Sequence, residues 1–142
     1  MLYDDIEDPR STSPEQLRAD YAAELADQIE SEGVDAVADE SGVNRETVAT
    51  IAAGEAETVQ LEDAAAIQAT APDAPPADDI LLEVRDELLM GMTTAVLDVD
   101  TIGAEMESEL DGKQIQQKIE GREPMTLAEF ARIRHFIASR QR

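Results

Sequence analysis

Apolar residues recur in the first part of the chain at the spacing of an amphipathic helix. One apolar residue follows another every four positions: Leu17, Tyr21, Leu25 and Ile29. Ser13 is a typical N-cap, the proline after it suits the first helical position, and Gly33 is a typical helix end. The pattern predicts a first helix from residue 13 to about residue 32.

Three shorter helices are predicted next, at about 34–41, from Asn44 as N-cap to Gly54, and at about 61–70. The segment 71–79 then contains three prolines in nine residues. Proline cannot continue a helix and stiffens an extended chain, so this segment is predicted to be a linker.

A second set of helices is predicted at about 79–97, 99–107 and 111–120, followed by a last helix that begins at the capping box of Thr126 and Glu129. The first of these is marked by its apolar positions: Leu81, Val84, Leu88, Met92, Ala95 and Val96.

The two sets of helices align with each other. Val34, Val37 and Ala38 align with Val99, Ile102 and Gly103; Asn44, Val48, Ala52 and Gly54 with Asp111, Ile115, Ile119 and Gly121; Leu61, Ala64 and Ile67 with Leu127, Phe130 and Ile133. Any two helical stretches agree to some extent, so chance is the alternative explanation. The shared helix lengths and glycine stops favour a duplication.

The stretch 37–51 carries the residues that a helix-turn-helix requires. Ala38 is small where two helices approach closely, and Gly42 allows a turn with positive φ. Four apolar residues would form the wedge between the helices: Val37, Val43, Val48 and Ile51. This stretch resembles the helix-turn-helix of the Cro and phage-repressor family, and the flanking predicted helices match that family's small helical domain. The whole chain also resembles small haloarchaeal proteins of unknown function, which brings no activity with it.

The resemblance implies an all-α fold with two tandem helix-turn-helix-like units joined by a Pro-rich linker. The expected organisation is a polar N-terminal arm at 1–12, a first unit at 13–70, the linker at 71–79, and a divergent second unit at 80–142 with a basic C-terminal part.

The charge balance is extreme, with 33 acidic and 11 basic side chains and a net charge of -22. Only two of the cations are lysines. So much like charge suits a cytosol at multimolar salt, where self-repulsion is screened and carboxylates keep the surface hydrated. We therefore interpret the charge as a sign of a halophilic, archaeal source rather than of a particular partner.

Several classes of protein are disfavoured. The chain has no cysteine, the N-terminus lacks the pattern of a secretion signal, and no apolar run approaches the ~18 residues that cross a bilayer. One histidine, His135, stands among arginines, and neither a His/Cys cluster nor a glycine-rich phosphate loop is present. We expect a cytoplasmic protein that is not an enzyme, with no cofactor, metal, small-molecule substrate or membrane partner.

In the first unit, the resemblance assigns DNA contacts to the outward positions of the second motif helix. Asn44 and Arg45 are the good base-reading side chains there. Glu46 and the acidic flanks of that helix would repel phosphate, so the first unit is a poor DNA reader.

The second unit holds most of the positive charge. Residues 111–142 contain seven cations and four acids, whereas the other 110 residues contain four cations and 29 acids. The predicted helix 111–120 aligns with the recognition helix of the first unit. This helix and Arg122 just beyond its end supply the candidate DNA-binding residues: Lys113, Gln114, Gln116, Gln117, Lys118 and Arg122. Local positive charge with amides that suit adenine edges is typical of nucleic-acid contact.

Two other interpretations of the basic segment remain open. Cations near helix C-termini stabilise the helix dipole, and the segment could dock on the acidic N-terminal unit. The leading expectation is a DNA-binding regulator, alone or as a dimer. The alternative is a non-enzymatic adaptor that uses a degenerate helix-turn-helix scaffold to bind another protein.

Overall fold

The computed structural model describes residues 2–4 and 6–141, and this part of the chain is all-helical. A short 3-10 turn at Pro9–Ser11 precedes eight α-helices. The helices are α1 Pro14–Glu32, α2 Val34–Ser41, α3 Arg45–Ala52, α4 Leu61–Gln68, α5 Ala77–Ala95, α6 Val99–Glu105, α7 Gly112–Ile119 and α8 Leu127–Arg140. The prediction of an all-α fold is confirmed.

Local cap chemistry sets most of the helix boundaries. The Ser13 hydroxyl accepts from the backbone N–H of Gln16, and the Asn44 side chain accepts from that of Glu46. Gly42 ends α2 in the left-handed region with φ 75°, where a Cβ would be strained. Asp111 and Thr126 each form a complete capping box with the residue three positions later. The predicted helix starts at these positions are correct.

The start of α5 differs from the prediction. The helix begins at Ala77, inside the segment predicted as linker, because Pro76 takes the N-cap position and lacks only an N–H that no helix would use there. The connection between α4 and α5 is therefore shorter than 71–79. Three other helices end two residues earlier than predicted, α3 at Ala52, α4 at Gln68 and α6 at Glu105.

The buried face of α5 differs in part from the apolar positions that marked this helix in the sequence. Val84, Leu88 and Met92 are buried, but Ile80 is buried and Leu81 only half-buried. Val96, another of the marking positions, is 90% exposed. The physical reason is that the helix stops at Ala95 and Val96 turns the chain with a left-handed φ of 55°.

The N-terminal segment, which was predicted to be a polar arm, packs against the helices. Leu2 is only 2% exposed, and its backbone N–H faces the Gln68 side chain. His135 on α8 contacts the carbonyl oxygens of Pro9 and Thr12 through Nε2, at 2.9 and 3.1 Å. This segment lies against the helices rather than extending from them.

Buried positions correspond between the two halves with constant offsets. With an offset of 63, four of the five buried residues of α1 fall on buried residues of α5: Leu17 on Ile80, Tyr21 on Val84, Leu25 on Leu88 and Ile29 on Met92. With an offset of 66, every buried residue of α4 falls on one of α8: Leu61 on Leu127, Ala64 on Phe130, Ala65 on Ala131, Ile67 on Ile133 and Gln68 on Arg134.

The two halves share one hydrophobic core. Helix α1 packs on α8, and α5 packs on α4, so each long helix contacts the other half. Between the halves, the N–H of Leu61 donates to Met125 O at 2.8 Å and the N–H of Leu127 donates to Val59 O at 2.7 Å. These reciprocal bonds flank the bridge of Gln60 and Thr126, and the two bridge residues are themselves related by the offset of 66.

Candidate nucleic-acid interface

Helix α7 separates its apolar and polar residues cleanly. Gly112, Ile115 and Ile119 are buried, while Lys113, Gln114 and Gln116 are exposed and Gln117 is half-buried. The structure therefore brings most of the predicted α7 residues to the outward side of one helix.

Gln114 is engaged in the capping box at the start of α7. Its side-chain oxygen accepts from the backbone N–H of Asp111 at 3.0 Å, and the Asp111 carboxylate accepts from the N–H of Gln114 at 2.8 Å. Because the capping box uses this side-chain oxygen, only the amide N–H groups of Gln114 could read a base without opening the helix start.

Lys118 lies largely inside the structure, with 16% of its side chain exposed. Its Nζ donates to Pro124 O at 2.7 Å and to Glu129 Oε1 at 3.1 Å. The same carboxylate oxygen accepts from the N–H of Thr126 in the α8 capping box. Lys118 therefore joins the end of α7 to the start of α8, and a phosphate contact would cost these bonds.

Gln116 and Arg122 converge on Glu120. The Gln116 amide donates to Glu120 Oε1 at 3.1 Å, and the Arg122 guanidinium lies 2.5 Å from Glu120 Oε2. The hydrogen bond from Gln116, with a smaller contribution from Arg122, lowers the pKa of Glu120. The charge of Arg122 is thus offset by a neighbouring carboxylate at the helix end.

Lys113 is the exception among the α7 cations. It is exposed, and within the described part of the chain it forms no hydrogen bond or ion pair. Lys113 is therefore the cation of α7 that a phosphate could reach at least cost.

Gln117 contributes its backbone carbonyl to the turn that follows α7, where it accepts from the N–H of Arg122 and of Glu123.

The remaining cations of the basic segment are also used within the protein. Arg132 donates to Glu107 O, and Arg140 lies 3.3 Å from the Glu105 carboxylate and over the Phe136 ring. Arg134 is 7% exposed and donates to the backbone carbonyl of Asp4. Arg142 lies outside the described residues. The contacts of Arg134 and His135 with the N-terminal segment agree with internal docking of the basic segment.

The two candidates of the first unit lie at the start of α3. Asn44 serves as its N-cap, and Arg45 Nε lies 2.5 Å from Asp35 Oδ1 on α2 in an exposed pair. An exposed pair of this kind is worth little and would not prevent a phosphate contact. Asn44 and Arg45 lie in the first half of the chain and the other six candidates lie in the second half, so the eight candidates are not contiguous in the sequence.

A different surface was missed by the sequence reasoning. The described residues include four exposed large hydrophobic side chains, and all of them lie on or immediately after α5: Leu82, Leu89, Met90 and Val96, which we name the α5 stripe. The available signal was the spacing of seven between Leu82, Leu89 and Val96. It was hidden because α5 also carries a buried apolar face, and Val96 was grouped with residues of that face as a marker of the helix.

Two further properties concern sites of other kinds. In the described part of the chain, no group of three His, Cys, Asp or Glu side chains is placed to hold a metal ion. No helix within that same part is long and apolar enough to span a membrane.

Comparison with curated proteins and with solved structures gives no significant match. A family model described as a family of unknown function, DUF5791, matches residues 17–140, which include α1 from its fourth residue through α8. Since this match covers most of the 142 residues, the chain belongs to the DUF5791 family.

Proposed function

We propose that the protein is a non-enzymatic interaction protein that binds a protein partner through the α5 stripe. The observation that carries the proposal is the confinement of Leu82, Leu89, Met90 and Val96 to one helix of a very acidic surface. Scattered exposed apolar side chains are ordinary, but a contiguous group rimmed by charge is typical of an interaction site.

The fate of the basic segment also favours this function over DNA binding. Three of the seven cations of 111–142 donate to backbone carbonyl oxygens within the protein: Lys118, Arg132 and Arg134. Arg122 and Arg140 form exposed ion pairs, which a phosphate contact could replace at little cost. Because nucleic-acid affinity depends on cations that are free to neutralise phosphate, the segment offers fewer such groups than its sequence indicated.

The test is affinity capture at high salt with the full chain as bait, against native extract and a differently tagged copy of itself. The comparison protein, which we name the stripe variant, replaces the α5 stripe with the residues that α1 has at an offset of 63: Leu82→Ala, Leu89→Ala, Met90→Asp and Val96→Gly. We expect the wild type to retain a protein partner that the stripe variant loses. Recovery of the same proteins by both would refute the proposal.

A DNA-binding regulator is the second candidate, because Lys113, Gln114 and Gln116 project from the outward side of α7. The sequence resemblance of 37–51 to a helix-turn-helix supports the same class. In multimolar salt most of the counterion-release contribution is lost, so contacts to bases would have to supply the affinity.

Selection from a random DNA pool at multimolar KCl tests this candidate. We expect DNA binding to show as an enriched sequence with the wild type and with Arg10→Glu, an exposed arginine outside the segment, but not with Lys113→Glu. Lys118 is left unchanged because its substitution would disturb the start of α8. A wild-type selection without enrichment would exclude this candidate.

A further inference from the structure

We propose that the α5 stripe is the seam of a symmetric, antiparallel dimer of this chain. This inference rests on the proposed function and names its partner as a second copy.

The stripe is continuous along the helix. Leu82, Leu89 and Val96 are seven residues apart, and such a spacing drifts by only about 20° around a helix for each step. The series extends over about 21 Å at the rise of an α-helix. Met90 lies beside Leu89, so the stripe is widest at its centre. An apolar residue at every seventh position supplies one of the two apolar positions of the heptad by which helices pack lengthwise; Arg85, Asp86 and Thr93 lie between these residues on the same side of α5.

Helix α1 shows that the fold does not require these side chains. Four of the five buried residues of each helix, α1 and α5, correspond with an offset of 63. At the same offset, α1 has Ala19, Ala26, Asp27 and Gly33 where α5 has the stripe. The equivalent outer face of α1 thus has only small or acidic residues. The large apolar side chains of α5 are an addition that folding alone does not explain.

Val96 is the sharpest of these contrasts. It is the C-cap of α5 with φ 55°, and its counterpart in α1 is the C-cap Gly33 with φ 95°. A β-branched residue is strained in the left-handed region, where glycine is favoured. The side chain of Val96 makes little contact within the protein, since it is 90% exposed. Contact with a second molecule gives a reason for valine at this strained position.

The charges along α5 select an antiparallel second copy. Residues 78–87 contain five acids and one arginine, whereas residues 88–97 contain no charged side chain. A parallel pair would place the two acidic halves side by side. An antiparallel pair centred on Leu89 places each acidic half against an uncharged half, with Leu82 of one copy opposite Val96 of the other.

Such an interface is self-complementary, as two-fold symmetry requires. It also offers a surface where two chains of net charge -22 can approach without opposing carboxylates. Added salt screens the remaining repulsion between the copies, so dimerisation should strengthen as the KCl concentration rises.

Sedimentation velocity from micromolar to near-millimolar protein, in multimolar KCl, measures the association. We expect a monomer–dimer equilibrium for the wild type. The α1-like stripe variant should dissociate at least about 100-fold more readily, because it removes the apolar anchors of both copies. Far-ultraviolet circular dichroism verifies that the variant keeps its helices. A wild type that stays monomeric at every concentration would overturn the proposal.

Cysteine cross-linking tests the orientation, because the chain has no other thiol. Leu89→Cys places two thiols at the symmetry axis, and we expect efficient cross-linking by a short bismaleimide. Leu82→Cys is the matched control, since its two thiols would be about 21 Å apart along an antiparallel pair. Cross-linking of Leu82→Cys in preference to Leu89→Cys would contradict the antiparallel arrangement.

The two proposals fail in different ways. A monomeric wild type that still captures another protein, and loses it in the stripe variant, would overturn the dimer but keep the interaction function. A wild type and stripe variant that show the same association and the same captured proteins would overturn both.

Discussion

The surroundings of Tyr21 determine the pKa of its hydroxyl and its contribution to stability. It is 5% exposed, its ring stacks on Phe130 at 5.7 Å, and its hydroxyl has no hydrogen-bond partner among the described residues. Burial raises the pKa of Tyr21 to about 12. A buried hydroxyl without a partner contributes a desolvation cost and no compensating bond.

We therefore expect Tyr21→Phe to leave stability near neutral pH unchanged or to raise it by about 1 kcal/mol. In the wild type, the free energy of unfolding should fall as pH rises from about 10 to about 12, since the unfolded chain releases the proton first. The variant should lack this contribution. Denaturant unfolding of both proteins across this pH range makes the comparison. An equal alkaline loss in both would show that Tyr21 is not its source.

Lys118 and Gln114 show the limit of sequence reasoning at the same scale. Their positions on α7 follow from the helical pattern, and their exposure was a reasonable expectation for polar residues. The capping box of Asp111 and Gln114 is a local pattern that the sequence could have shown. The bond from Lys118 to Glu129 joins two helices, and the helical pattern alone does not bring these residues together. The sequence could therefore locate Lys118 but could not tell that it is engaged.

At the scale of elements, α6 and α7 approach each other closely at two glycines. A Cβ on Gly103 would lie 2.8 Å from the backbone nitrogen of Gly112, and a Cβ on Gly112 would lie 3.1 Å from the carbonyl oxygen of Val99. Because backbone atoms cannot swing aside as a side chain can, the two helices would have to separate.

We expect Gly103→Ala to lower the free energy of unfolding by about 1–3 kcal/mol, the usual cost of overpacking. The measurement is denaturant unfolding followed by circular dichroism. Ala104→Ser, at an exposed neighbouring position of α6, is the control and should have little effect. Equal stability of Gly103→Ala and the wild type would mean that the contact is looser than described.

Val96→Gly makes the opposite prediction for α5. Glycine relieves the left-handed strain at the C-cap, so the free energy of unfolding of the monomer should rise by about 1 kcal/mol. Thermal unfolding at low protein concentration measures it. The same substitution should weaken dimerisation, so stability and association would change in opposite directions. A lower monomer stability would show that Val96 supports the fold.

The helix boundaries that carry a cap or a glycine stop were predictable because those signals are local. Ser13, Gly33, Gly42 and Thr126 act on backbone groups within one turn, and each ends or begins a helix as predicted. The α5 stripe was not recognised, because a helix with apolar residues on two faces gives no single period that separates the buried face from the exposed one.

At the scale of the whole molecule, charge should govern stability. The net charge of -22 destabilises the compact state through self-repulsion, and salt screens it. We expect the melting temperature to rise steeply with KCl from low ionic strength to multimolar concentrations. Differential scanning calorimetry at fixed protein concentration tests this, with the stripe variant as a control for dimerisation. A melting temperature independent of KCl would contradict the proposed halophilic character.

Each long helix packs on the other half of the chain, and this affects how the chain folds. Because α1 packs on α8 and α5 on α4, the first half cannot complete its core on the ribosome before the second half is synthesised. Two polypeptides that divide the chain in the connection before α5 should each be largely unstructured. Mixed together, they should associate and regain the helical spectrum. The protein could then serve as a split reporter in which reassembly of the two pieces depends on their shared hydrophobic core.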